Sequence, residues 1–254
     1  MLTPLFDFAS LLQCRKFFET CNSESAEYKV LKSPDPKVET KVVHVEGSSL
    51  LVGSCTSVID ADVCTCLAYA FNARNCREAL RERKYIRKRK DTVFRKVNDH
   101  THINRDLRKF GLCGIATRDF RVKGVWDIND DKRNAFLAYE DTKDLDEEFP
   151  VKGNTIVGSV QAAYSFAQLQ GIGGVPQTRV TFAGTLDLKG AIPRLPMNAI
   201  AQSSLILRMR KKFDMSFEVD AEERFAISER IKSEKPDVGE DFDHNFAERP
   251  KKVS

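Results

Sequence analysis

The sequence predicts an α+β fold: a curved antiparallel β-sheet wrapped around a long C-terminal α-helix. Three observations lead there. Ile156, Gly158, Val160, Ala162, Tyr164 and Phe166 alternate, residues 171–174 supply a glycine-rich turn, and Val180, Phe182, Gly184 and Leu186 alternate again. A period of two with one apolar face is what a half-buried antiparallel hairpin requires. After Gly190 the period becomes helical, with Met197, Ile200, Ala201, Ser204, Leu205, Met209 and Phe213 on one stripe and Gln202, Arg210 and Lys211 elsewhere. An antiparallel sheet with one apolar face must cover it, and that stripe is its natural partner.

The remaining elements follow in chain order. Residues 4–20 carry Leu5, Phe8, Leu11, Leu12, Cys14, Phe17 and Phe18, which predicts an N-terminal helix. Residues 22–39 are rich in Ser, Pro, Asp and Lys, with Pro34 and Pro36 blocking regular structure, and read as a loop. Segments 40–46 and 49–59 alternate about Gly47-Ser48 as a hairpin. Asp60 is then the expected N-cap of a helix on which Val63, Leu67, Ala70 and Phe71 repeat. Residues 92–97 are strand-like, and 102–110 have no clear period. Phe120, Val122, Gly124 and Trp126 share one strand face, and 136–139 begin another strand. Pro193 and Pro196 suit the entry to the long helix. Residues 217–231 are helix-compatible, and 232–254 read as a polar, mobile tail. The expected organisation is an N-terminal helix and loop (1–37), a central domain (38–214) and a C-terminal helical and acidic extension (215–254). Small inward residues (Gly158, Ala162, Gly184, Ala201, Ser204) favour a hollow interior.

Composition narrows the function. With 41% hydrophobic and 31% charged residues in 254, the chain can bury a core and is not disordered throughout. No run approaches the roughly 20 apolar residues of a membrane-spanning helix, and the apolar start lacks the basic flank of a leader, so it reads as structure. The seven cysteines form no Cys-x-x-Cys pair. Cys64 and Cys66 would point apart on a helix, so reduced thiols in a cytoplasmic protein are expected, with Cys55 packed as a small hydrophobe and no metal site. Residues 74–96 hold eleven Lys or Arg against three acids, whereas the chain beyond Asp214 is acidic. Most such basic runs are solvated helix faces; this one includes Arg87, Lys88, Arg89 and Lys90, candidates to meet an anionic membrane. With only Tyr85 and Phe94 available for stacking, no nucleic-acid partner is expected. The four histidines have no nucleophile or metal partner at diagnostic spacing, and His102 with Asn104 and Asp106 makes only a loose cluster. No enzymatic activity and no cofactor are expected.

Two segments resemble the START family, the StAR-related lipid transfer domains. The first is Arg118-Asp119-Phe120, opening a strand that reaches Trp126. The second runs from Thr178 through Asp187-Leu188-Lys189-Gly190 and Ile192-Pro193 to Asn198, and then along a helix ending at Leu207 to Phe213. Its order matches the family's last strand, turn and C-terminal helix. The resemblance spans roughly residues 38–213 and implies a helix-grip fold holding one lipid in a tunnel beneath the last helix. Steroid-binding members set an acidic residue opposite a basic one inside the tunnel. An ungapped count from Arg118 puts Arg105 and Gly124 there, so the pair is absent and a sterol is not the expected ligand. The continuation Lys212-Phe213-Asp214-Met215-Ser216 is similar to START-like domains embedded in large protist proteins, which implies a larger parent architecture.

The function so implied is binding, and on one reading transfer, of a phospholipid or other lipid in an apolar cavity under a lid helix hinged near Gly190 and Pro193. Inward parity nominates Val122, Trp126, Val160, Tyr164, Phe182, Met197, Ile200 and Ser204 as lining residues, although each also suits an ordinary core. Arg118 and Asp119 are candidates to orient a head group or to tie strand to neighbour as an ion pair. The alternatives are a ligand-gated regulatory or scaffolding module of a larger protein, and a cavity enzyme of the wider helix-grip superfamily.

Overall fold

The structure is a computed structural model that describes residues 8–23, 25–45, 51–72, 92–108, 116–189 and 204–214. Its elements in chain order are α1 (Phe8–Asn22), β1 (Glu27–Leu31), β2 (Val38–His44), β3 (Leu51–Ile59), α2 (Val63–Asn72), β4 (Thr92–Lys96), β5 (Thr101–Arg108), β6 (Thr117–Ile128), β7 (Asn134–Asp141), β8 (Thr155–Val157), β9 (Ser159–Ile172), β10 (Val175–Asp187) and α3 (Ser204–Phe213). The strands form one open sheet in the order β1-β2-β3-β10-β9-β7-β6-β5-β4. Every pairing along that path is antiparallel, and β8 lies parallel to the start of β6.

The hairpin β9–β10 sits at the centre. Gly173 and Gly174 turn the chain with φ of 54° and 76°. Two consecutive positive-φ positions match the right-handed strand twist and are nearly free of steric cost only for glycine. Val180 then pairs with Phe166, Phe182 with Tyr164, Gly184 with Ala162 and Leu186 with Val160. Directly opposed residues share a sheet face, so these apolar positions make one continuous surface.

Each face of the sheet has its own cover. On one, Val63, Cys66, Leu67 and Ala70 of α2 and Ile206 and Met209 of α3 join Phe120, Val122, Leu137, Tyr164, Phe166, Val180 and Phe182 in the largest core. On the other, Leu11 and Cys14 of α1 pack on Val125, Phe136, Ala138 and Ala163, while Cys21 meets Val43, Val52 and Ala183. Burial pushes the thiols of Cys14 and Cys66 up to about 12 and that of Cys21 to about 11. Cys64 is exposed and Cys66 buried, as their spacing on α2 requires.

Three expectations are corrected. The predicted loop at 22–39 contains β1, which pairs with β2. As an edge strand with four of five residues exposed, β1 carries no alternation to read. The N-cap of α2 is Asp62, not Asp60: Thr65 donates from its N–H to Asp62 Oδ1 at 2.8 Å and from its hydroxyl to Oδ2 at 2.7 Å. Asp60 accepts instead from the Gln177 amide of β10. Arg210, expected away from the buried stripe of the last helix, is buried, and its Nε donates to Asp35 at 2.7 Å. The bond from Arg210 holds the Asp35 carboxyl below its ordinary range. The turn at 47–48, the helix at 217–231 and the tail at 232–254 lie outside the described residues.

The cap gives a pH-dependent expectation. Burial alone would raise the pKa of Asp62, but the bonds from Thr65 and neighbouring backbone N–H groups together hold it below 3.8. A depressed carboxyl contributes stability above its unfolded pKa and loses it as pH falls through the folded value. Asp62→Ala is therefore expected to cost about 1 kcal/mol at neutral pH. In denaturant titrations that deficit should shrink below pH 3.8, the value the capped group lies beneath; an undiminished deficit at lower pH contradicts the capping account.

Candidate ligand-binding face

The face covered by α2 and α3 is built in rows across the strands. One row runs Cys55, Phe182, Tyr164, Leu137 and Trp126; the next runs Val42, Gly53, Gly184, Ala162, Tyr139, Gly124 and His102. A third brings Leu186 and Val160 to Asp141, Val122, Asn104 and Phe94. The Tyr164 and Phe182 rings lie 4.9 Å apart, and Tyr139 reaches the Ala70 carbonyl of α2 at 3.4 Å.

Of the lining residues expected from sequence, Val122, Tyr164 and Phe182 are buried in this core, with Trp126 and Val160 packed half-buried against it. Trp126 is committed at both ends: its indole N–H donates to the Asp99 carbonyl at 3.0 Å, and His100 stacks on its ring at 4.1 Å. Ser204 opens α3, though its side chain, like Met197, Ile200, the Gly190–Pro193 hinge and residues 87–90, lies outside the described residues. At two of the small positions, Gly184 and Gly158, aromatic rings lie in the space a side chain would take. A Cβ at Gly184 would stand 2.6 Å from the Phe182 ring, and one at Gly158 would collide with Phe120, so neighbouring rings already occupy those gaps.

Arg118 and Asp119 do not pair with each other. Successive strand residues point to opposite faces, and these two diverge accordingly. Arg118 turns toward the ligand-face side and donates to the carbonyls of Leu188 at 2.5 Å, Ala116 at 2.5 Å and Lys189 at 2.9 Å, clamping the end of β10 to β6. Asp119 faces the other side of the sheet and accepts from Arg105 Nε at 3.0 Å and from Arg121 Nη2 at 2.7 Å. Asp119 is 0% and Arg121 2% exposed at the side chain. Arg121 also donates to Asp146 at 2.6 Å, and Arg105 stacks over Phe149. Burial would lower the pKa of Arg121, but Asp119 and Asp146 raise it above its ordinary value. Arg105 therefore serves this network and takes no place among the ligand-face side chains.

Where β7 ends and β8 takes its place beside β6, an open groove of about 470 Å³ is lined by Arg121, Asp141, Lys143, Asp146, Val151 and Lys189, among others. Both signs of charge line it. In the sequence His102, Asn104 and Asp106 form only a loose cluster. The structure sets them at alternate positions of β5, opposite Gly124, Val122 and Phe120, and all three are buried on the ligand face. Their i, i+2, i+4 spacing was the available signal. No group of metal-ligating side chains occurs among the described residues.

The structure is similar to the lipid transfer and protein localization domain of human StarD13 (DLC2), with a TM-score of 0.52 and 19% identity over 80% of this chain and 96% of that one. It is similar to human StAR-related lipid transfer protein 5, with a TM-score of 0.52 and 12% identity over 87% and 97%. A STAR-related lipid transfer protein from Xanthomonas axonopodis gives a TM-score of 0.54 and 12% identity over 74% and 99%. No family model matches the sequence, and no curated protein matches it. The chain has the START-like, helix-grip α+β fold.

The Asp119 network yields a contrast between two ion pairs. Removing one partner of a buried pair leaves an uncompensated charge and costs about 3–5 kcal/mol, whereas an exposed pair is worth about 1 kcal/mol or less. Asp119→Ala should lower unfolding free energy by the larger amount. Asp127→Ala, which breaks the half-exposed bridge to Arg15, should cost only the smaller. Equal losses in denaturant melts would mean that Asp119 is not the electrostatic tie between β5 and β6.

Proposed function

We propose that this domain binds a single lipid on the sheet face beneath α2 and α3, and that it is a binding protein without enzymatic activity. The observation that carries the proposal is the unbroken apolar surface from Val122 through Tyr164 and Phe182 to Ile206 and Met209, in a fold similar to lipid transfer domains. Apolar burial at about 25 cal/mol per Å² supplies affinity without a covalent step. Val122, Tyr164, Phe182, Trp126 and Val160 contact the ligand, and Met197, Ile200 and Ser204 are further candidates on the strength of their spacing in the sequence. Arg87, Lys88, Arg89 and Lys90 draw the domain to anionic membranes, each contributing on the order of 1 kcal/mol near such a surface. Cys14, Cys21 and Cys66 are buried thiols outside any disulfide, which favours a reducing, cytoplasmic setting.

A second reading, a ligand-gated module of a larger protein, is supported by Arg210. Its guanidinium links α3 both to Asp35, before β2, and to Asp214, where the acidic C-terminal stretch begins. A ligand that displaced α3 would be felt at both places.

Native mass spectrometry of the full chain, incubated with vesicles of mixed natural lipids, should show one added lipid mass per protein. Val160→Trp should abolish it at nearly unchanged melting temperature, because the indole takes ligand space. In a filled core the same change would cost about 1–3 kcal/mol. Changing residues 87–90 together to Gln should weaken capture from anionic vesicles at low salt and have little effect at 1 M salt, where the Debye length is about 3 Å. Absence of any bound lipid on the wild type removes the proposal, and unaltered capture by the quadruple variant removes the membrane role of the basic run.

A further inference from the structure

The polar row on β5 raises the question of what it meets when the ligand face is occupied. Asn104 is 2% exposed, and its Nδ2 makes no hydrogen bond among the described residues. A buried amide donor left unsatisfied is disfavoured, and such a group in a native fold asks for a partner. Its register fixes where it faces. Asn104 stands opposite Val122 of β6 and opposite Phe94 of β4, and Val122 is a 1% exposed member of the core under α2 and α3. The amide therefore points to the same side as the proposed lipid site. His102, next along the row, fills the space over Gly124 and packs against Phe71, Phe94 and Tyr139 with ring centroids 4.4, 5.0 and 5.7 Å away. This aromatic wall closes one side of the amide's surroundings and keeps water from solvating it freely.

The charges nearby are already engaged. Arg118 donates to three backbone carbonyls, and Asp106 accepts from Arg108 Nε at 2.9 Å. Arg105 and Arg121 belong to the opposite face, where they hold Asp119. Each arginine of β5 and β6 is thus committed to another partner, and burying an anion beside Asn104 without a counter-charge or donor set is strongly unfavourable.

We infer that Asn104 is the residue that recognises the polar end of the bound lipid, and that this end is uncharged: a hydroxyl, ester or amide whose oxygen accepts from Nδ2. The inference rests on the lipid-binding reading and names the ligand class for that same site. An Asn amide offers both a donor and an acceptor. A hydroxyl, ester or amide oxygen can accept from the unsatisfied Nδ2, whereas an anionic phosphate finds a single neutral donor beside arginines already committed elsewhere.

The test uses the full chain and phosphatidylcholine vesicles doped separately with diacylglycerol, ceramide or phosphatidylserine, with uptake read by native mass spectrometry. Wild type should extract diacylglycerol or ceramide in clear preference to phosphatidylserine. Asn104→Leu should reduce uptake of the preferred lipid roughly five- to tenfold, as the loss of one hydrogen bond does. The melting temperature of the lipid-free variant should not fall, because an unsatisfied amide is replaced by an apolar group of similar size. A purely structural Asn104 would give the reverse pattern: lower melting temperature and unchanged selectivity. Equal extraction of phosphatidylserine by the wild type, or unchanged selectivity in Asn104→Leu, overturns the inference while lipid binding stands. If the wild type takes up none of the doped lipids and no phosphatidylcholine, the parent reading fails and this inference with it.

Discussion

The register of β9 against β10 is the constraint on which the rest of the molecule depends. Strand side chains alternate with a period of two, so a slip of one residue would send Val180, Phe182 and Leu186 to the opposite face and bring Thr181 and Ala183 in their place. Gly173 and Gly174 fix that register from one end by turning the chain at positive φ. Arg118 fixes it from the other by holding the carbonyls of Leu188 and Lys189 just past β10. With the central pair set, β3 and β7 inherit their facing from β10 and β9. The sheet then has two apolar faces of different character, one closed by α1 and the other by α2 and α3.

Charge is distributed by the same alternation. Arg118 and Asp119 are neighbours in sequence but belong to different faces and different tasks, carbonyl clamping on one and guanidinium pairing on the other. Where polar groups enter the interior of this fold, most are matched: Asp119 by two arginines, Thr178 by the Ala61 carbonyl, Arg210 by two aspartates. Asn104 departs from that pattern, as the Ser54 and Thr101 hydroxyls do on the α1 face, because its amide nitrogen is buried without a hydrogen bond among the described residues. That contrast makes the β5 row, more than the aromatic core, the part of the ligand face that carries chemical information.

Much of this was legible in the sequence where a single face is buried. The β9–β10 alternation, the helical spacing of Val63, Leu67 and Ala70, and the face shared by Phe120, Val122 and Trp126 all appear in the structure as read. Legibility failed where burial does not follow hydrophobicity. β1 is an edge strand with almost no buried side chain, so its residues looked like loop. β5 turns polar residues inward, opposite to the usual pattern, so its period was invisible to a search for apolar alternation. Asp60 and Asp62 are equivalent as candidate caps until β10 supplies Gln177 for the former. Arg210 could not be recognised as buried before Asp35 was brought beside it across 175 positions of chain. At Gly158 and Gly184 the sequence reveals missing side-chain volume, but not the rings of Phe120 and Phe182 that lie against it.

The central claim is that the face under α2 and α3, and not the one under α1, receives a lipid. Photocrosslinking with a lipid carrying a diazirine in its acyl chain tests this directly, with labelled positions assigned to single residues by fragmentation mass spectrometry. The account predicts labels on Val122, Val160, Tyr164 or Phe182, suppressed by excess unlabelled lipid. Labels confined to Val125, Phe136, Ala138 or Ala163, the residues packed under α1, would contradict it.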